Sequence, residues 1–191
     1  MRRALLISLR MAVVTVVLTG LIYPLVVWGI GAVLFPKQAA GSLVTNQSGT
    51  VIGSTLIAQS FTADKYFHPR PSAAGTNGYD PMASGASNLG PTNAKLVDNV
   101  KRLVGLAERA DHIKPGSVPI DMVTSSGSGL DPDISPDNAA LQVARVAQAR
   151  ALTQDAVKQL VARYTSGRDL GFLGEPRVNV LELNLALDQA K

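Results

Sequence analysis

Cysteine is absent from the 191 residues, which excludes a disulfide framework, a thiolate metal site and a cysteine nucleophile. Histidine is scarce: His68 and His112 are the only two, too far apart in sequence to form a zinc site by spacing. Aromatic residues make up 5% of the chain, and neither an aromatic RNA-binding motif nor zinc-finger spacing occurs. A G-x-S-x-G nucleophile elbow is missing as well, because Gly85-Ala86-Ser87-Asn88-Leu89 lacks the final glycine that the sharp turn requires. The formal charge is +4, but Arg2, Arg3 and Arg10 supply three of the 18 bases and precede every acid. From Lys37 onward 15 basic residues meet 14 acidic ones. A basic stripe that tracks phosphates is therefore not expected, and nucleic acid is not an expected partner.

What the chain does have is an unbroken apolar run. No charge interrupts Met11 to Phe35, and at about 1.5 Å per residue this length crosses a ~30 Å hydrocarbon core with some tilt. The run is too long for the apolar region of a cleaved signal peptide, although Gln38-Ala39-Ala40 is the kind of small-residue sequence that follows one. Pro24 removes a backbone donor inside the span and predicts a kink near Leu21 to Tyr23. Gly20, Gly29 and Gly31 permit close approach of a partner helix. Arg2, Arg3 and Arg10 lie before the span, whereas only Lys37 follows closely. The positive-inside bias thus predicts a cytoplasmic segment 1–10, a transmembrane helix 11–35 in the inner (cytoplasmic) membrane, in contact with lipid, and an extracytoplasmic domain 36–191.

In that domain, Ser42 to Thr45 and Val51 to Ile57 flank the polar turn Asn46-Gln47-Ser48-Gly49 and suggest a hairpin. From Phe67 to Asn93 the chain is dense in Pro, Gly, Ser and Asn, which set turns rather than regular elements. Such a long loop with contact side chains fits an ordered binding loop. Its docking candidates are Tyr66, Phe67, Arg70, Ser72, Ser87 and Asn88; the alternative is that the aromatics pack beneath the loop and Arg70 ties it down. Thr92 or Asn93 caps a helix to about Ala110, whose face of Leu96, Val100, Leu103, Val104 and Ala107 reads as core. Val118 to Thr124 alternates weakly and reads as a strand. Ser135-Pro136 starts a helix through Leu152, Thr153 caps another that ends near Gly167, and Asn179 with Glu182 opens a last helix. Helices and strands do not alternate strictly, so the fold class is α+β.

Candidate chemistry is thin, and no catalytic or metal-ligating residue is expected. Asp131, Asp133, Ser135 and Asp137 resemble the opening of a calcium loop, but Pro136 and Gln142 stand where the EF-hand requires glycine and a bidentate acid. Turn-forming and helix-capping aspartates are the favoured explanation. Ser125 to Gly129 can present backbone N–H groups to a phosphate, yet no Walker lysine follows. Asn138, Gln142 and Arg145 share one helical face, which reads as solvated or as a docking edge.

Five blocks in order behind one transmembrane helix are more specific than any of these features: FTADKYFHPRPS, SGASNLGPTN, SGSGLDPDISP, LQVARVAQAR and FLGEPRVNVLELN. From Arg3 to about Asp188 the chain resembles the C chain of Kdp-type potassium-transporting ATPases. The resemblance implies a non-catalytic subunit of a P-type pump whose other members are a K+-channel-like subunit and an ATP-hydrolysing subunit. It further implies a catalytic chaperone that assists assembly and raises the ATP affinity of the hydrolysing subunit. Ser126, Gly127, Ser128, Gly129 and Gln142 are the nucleotide-associated candidates under that description. The arginine asymmetry puts them across the membrane from cellular ATP, so no cofactor is expected to bind tightly, and ATP is reached through the partner ATPase subunit. The alternatives are a membrane-anchored module with direct nucleotide contact and an envelope protein unrelated to transport.

Overall fold

The computed structural model describes residues 1–46 and 48–190. Gln47 of the expected turn and Lys191 of the expected domain lie outside the described residues. The chain divides into two compact units, Met1–Ile52 and a second beginning at Gly53.

The first unit is dominated by one long helix, which is long and apolar enough over Arg2–Leu34 to cross a membrane. It begins as α1 (Arg2–Val17) and ends as α2 (Tyr23–Leu34), with a π turn over Leu18–Ile22 between them. Pro24 cannot donate to the carbonyl one α-turn before it, and the ladder shifts register there: the Tyr23 N–H reaches Leu18 O, five residues back. A short α3 (Pro36–Ala39) follows. Next, β1 (Leu43–Thr45) pairs with β2 (Val51–Ser54). The turn is organised by Asn46, whose Oδ1 accepts from Ser48 N at 3.0 Å and Thr50 N at 2.9 Å.

The second unit mixes helices with a small antiparallel sheet, the α+β class expected. A long irregular stretch, broken by one 3-10 turn at Pro81–Ala83, leads to α4 (Ala94–Ala110), capped by Asn93 Oδ1 on Lys95 N. After α5 (Ile120–Val123) come β3 (Asp133–Ile134), α6 (Pro136–Arg150), α7 (Gln154–Arg163), β4 (Thr165–Ser166), β5 (Arg177–Asn179) and α8 (Val180–Gln189). The sheet order is β3-β5-β4, with Ile134 and Thr165 both opposite Val178. Ser135, Thr153 and Asn179 cap α6, α7 and α8 through their side-chain oxygens, as their sequence contexts predict. The core lies where α6, α7, α8 and β5 meet, with Val143 and Val146, Val157 and Val161, Leu183 and Leu187, and Val178 closing on one another.

Three expectations fail here. The segment Val118 to Thr124 is not a strand but contains the single turn α5: Pro119 starts it, and Asp121 and Val123 point inward while Ile120 is exposed. Asp121 is held there by Ser135 and Asn138, a long-range tie that no local alternation can report. The helix expected to end near Gly167 stops at Arg163, because Thr165 and Ser166 are recruited into the sheet. Lastly, the α4 apolar face is not core. No α4 residue is buried: Leu96, Val100, Leu103, Val104 and Ala107 are half-covered, and Val97 and Leu106 are exposed. The helix packs chiefly on the one-turn α5, which is too small to cover that face.

Phe67, 0% exposed, joins this core from the long loop. Phe67→Ala is expected to destabilise the chain by about 3–5 kcal/mol, the cost of emptying a fully packed aromatic site, as read by denaturant unfolding of the detergent-solubilised protein.

Candidate functional site

The docking loop expected between Tyr66 and Asn88 is held from below by two buried amides. Asn184, a buried amide in the leucine-rich α8, accepts from Phe67 N at 2.8 Å and donates to Phe67 O at 2.9 Å. Gln142 on α6 does the same to the next residue, accepting from His68 N at 2.7 Å and donating to His68 O at 3.1 Å. The chain is thereby pinned as a strand would be, but by side chains. Gln142 also donates to Asn138 Oδ1 at 2.8 Å and accepts from Arg145 Nη2 at 2.7 Å. Asn138 in turn donates to Asp121 at 3.0 Å. Arg145 ion-pairs with Asp111 at 2.7 Å and donates to the carbonyls of Asp64 and Tyr66 at 2.7 and 2.9 Å.

The stripe of Asn138, Gln142 and Arg145 is therefore neither solvated nor a docking edge. All three side chains are buried, and they form an internal network. Helical spacing puts them on one face correctly; it does not say which way that face turns. Gln142, 1% exposed, has both oxygen lone pairs and both amide hydrogens engaged within the protein. It has no remaining capacity for a nucleotide.

The glycine-serine segment is likewise committed internally. Ser126 Oγ accepts from Gly129 N at 3.0 Å, and Ser128 Oγ accepts from Leu130 N at 3.1 Å. Ser128 O accepts from Gly85 N and Ser84 Oγ, and Gly129 O accepts from Ser72 Oγ at 2.6 Å. Gly129 has φ +68°, and a Cβ there would lie 2.6 Å from Gly85 O and 2.9 Å from Ala74 N. Glycine is required because two loops meet backbone to backbone. Gly127 and Ser128 remain exposed.

The other docking candidates are distributed unevenly. Phe67 is excluded as a surface contact by its burial. Tyr66 is half-buried, with its hydroxyl 3.0 Å from Asp188 and its ring under Arg150 and beside Phe61. Arg70 pairs with Asp131 at 2.9 Å, and Tyr79 donates to Arg70 O at 2.8 Å. Ser72 also caps the turn to Tyr79, accepting from Tyr79 N at 2.7 Å. Only Ser87 and Asn88 are fully at the surface, with Asn88 at φ +53°. Asn184, Asp111 and Asp121 escape sequence reasoning, and the one available signal is an amide set among leucines in LELNLAL.

Electrostatics follow burial. His68 is held below its ordinary value of 6.5 by desolvation and then by the Arg145 guanidinium. Burial pushes the Tyr79 phenol up to about 12. Asp133 is raised by desolvation and by the neighbouring Asp131 carboxylate, partly offset by Arg177. Asp131 itself makes an Asx turn to Asp133 N at 3.0 Å, so this acidic run serves turns, pairing and capping. Among the described residues no group of three or more His, Asp or Glu is arranged to hold a metal.

Over residues 5–189 the chain matches the model of the family described as K+-transporting ATPase, c chain. It belongs to that family. It is 54% identical over 188 residues to a protein of Koribacter versatilis named potassium-transporting ATPase KdpC subunit, covering 98% of this chain and 95% of that one. A protein of the same name from Rhodospirillum rubrum is 59% identical over 172 residues, 90% of this chain and 88% of the other. The Mycobacterium tuberculosis protein of that name is 54% identical over 190 residues, 99% and 100% of the two chains. The chain is thus a C subunit of the Kdp potassium-transporting ATPase complex, and its membership implies other Kdp subunits.

Two measurements check the site. Arg145→Ala leaves Asp111 buried without its cation and is expected to cost the C subunit about 3–5 kcal/mol in denaturant unfolding. For His68, the folded state binds fewer protons than the unfolded chain below pH 6.5. Stability is therefore expected to rise with pH through that window and to be lost on acidification below it, and His68→Gln is expected to flatten the profile.

Proposed function

We propose that this chain is a non-catalytic accessory subunit of the pump, which crosses the inner membrane once with its N-terminus cytoplasmic and docks an extracytoplasmic domain on the other subunits. Family membership supports a place in the complex. The observation that carries the accessory role is the internal commitment of the candidate nucleotide-contacting side chains. The candidate nucleotide side chain Gln142 is consumed by four internal bonds, and Ser126 and Ser128 cap their own turn. Large apolar side chains such as Leu106 and Ile120 meanwhile stay at the surface, where partner subunits can cover them.

The partners are an ATP-hydrolysing subunit and a K+-channel-like subunit. The domain assists their assembly and raises ATP affinity through them, without holding nucleotide itself. Arg2, Arg3 and Arg10 before the helix, against Lys37 alone soon after it, support the orientation. Ser87 and Asn88, with the exposed edges of Tyr66, Arg70 and Ser72, form the docking side of the loop.

The test is recovery of the two larger subunits on the tagged full chain, together with a topology reporter fused at the C-terminus. Co-purification and an extracytoplasmic report are expected. A cytoplasmic report in a working complex overturns the orientation, and saturable ATP binding by the chain alone overturns the indirect ATP role. Val26→Arg, mid-helix, is expected to reduce membrane insertion, since a central charge costs about 2.5–3.5 kcal/mol on insertion scales; unchanged complex yield contradicts the span.

A further inference from the structure

Between β4 and β5 the chain makes a tip whose large apolar side chains are left at the surface. Leu170, Phe172 and Leu173 are 83%, 69% and 49% exposed. The tip is nevertheless fixed. Asp169 N donates to Leu173 O at 2.8 Å and Leu173 N to Asp169 O at 2.9 Å, closing a small antiparallel bridge. Gly171 N donates to Arg168 O at 3.1 Å. Arg168 pairs with Glu175 at 2.6 Å across the base, and Arg177 lies 3.6 Å from Asp169. Leu170 has φ +53°, a backbone conformation in which glycine or asparagine is at ease and leucine is not. A leucine both strained and exposed, with a phenylalanine beside it, is held out by structure rather than left over from it.

We propose that this tip is an apolar plug that seats in a hydrophobic socket on another subunit of the same pump. The inference rests on the accessory-subunit reading and specifies one of its contacts. Charge balance decides the kind of occupant. Across residues 168–177 two arginines meet one aspartate and one glutamate, so the tip carries no net positive charge to draw it to anionic headgroups. An apolar centre ringed by mutually paired charges is the anatomy of a protein contact, in which a few desolvated anchors dominate the binding energy. The α4 face is a poorer candidate, because its own domain half-covers it.

The experiment uses the tagged full chain co-expressed with the remaining pump subunits. Phe172→Ala and Leu170→Gly are compared with the unaltered chain for recovery of those subunits and for the thermal midpoint of the chain in detergent. Leu170→Gly relieves the positive φ, so it has no strain by which to fail to fold. Both variants are expected to keep the midpoint and to lower recovery at least about tenfold, the size of a hot-spot loss. Because the chain has no cysteine, Phe172→Cys gives a single label site. Protection of that thiol from an aqueous maleimide is expected in phosphatidylcholine vesicles holding the whole complex, and not in vesicles holding this chain alone. Protection by lipid alone overturns the socket in favour of the bilayer, and undiminished recovery of both variants overturns the plug. If the unaltered chain itself recovers no subunits, the accessory-subunit reading fails instead.

Discussion

Two buried amides hold the Phe67–His68 backbone in the domain, and the rest of the second unit is arranged to keep them there. Asn184 and Gln142 each satisfy both the N–H and the C=O of one loop residue. The two Phe67 groups would otherwise be buried unpaired, at about 1–3 kcal/mol each, and the two His68 groups partly so. The clamp works only if Gln142 is oriented, and its orientation comes from Asn138 on one side and Arg145 on the other. Those two are fixed by Asp121, inside the one-turn α5, and by Asp111, the residue that follows α4. Loop, short helix and long helix are thus joined by a chain of polar contacts, while Phe67 enters the apolar core from the clamped segment. Partly satisfied, such a network would be worse than an apolar one; fully satisfied, it selects one loop conformation.

What the sequence made legible is local. Asn93, Ser135, Thr153 and Asn179 are visible as caps because a cap and the amide it accepts from lie within a few residues. The apolar helix is visible because its length alone suffices. The order of five loop and helix blocks carried the family. The sheet was not legible, since strands of two or three residues are too short to show a period of two. Burial direction was not legible either. In α4 the apolar face has the right spacing for a core and remains half-covered, whereas in α6 the polar face of Asn138, Gln142 and Arg145 has the spacing of a solvated stripe and is buried. Periodicity gives a face, and only tertiary partners decide where it points.

The glycine-serine segment shows how one composition fits two chemistries. Backbone amides freed by small residues can cradle a phosphate, or they can let two loops touch. Here Gly129 is crowded by Gly85 and Ala74, and Ser72, Ser84 and Ser128 stitch the same two loops together. Of the backbone donors that a phosphate would need, Gly129 N and Leu130 N are already given to Ser126 and Ser128. The requirement for glycine therefore has a sufficient structural cause without a ligand.

A domain whose long loop is fixed from within by hydrogen bonds is well suited to being held by the other subunits that its family membership implies. Ordering a flexible loop at the moment of contact would subtract about 0.5–1.5 kcal/mol for each side chain immobilised. The amide clamp, the Ser72 turn and the Arg70–Asp131 pair meet that cost during folding instead. The β4–β5 hairpin is fixed in the same way, its bridge and paired arginines setting the positions of Leu170 and Phe172. Burying the polar residues of α6 takes two amides and a guanidinium off the surface. His68 follows the same logic: burial and then the Arg145 guanidinium disfavour its charged form, beside a network in which Asp111 already pairs with Arg145. Rigidity in this unit is thus built from hydrogen bonds inside and expressed as apolar shape outside.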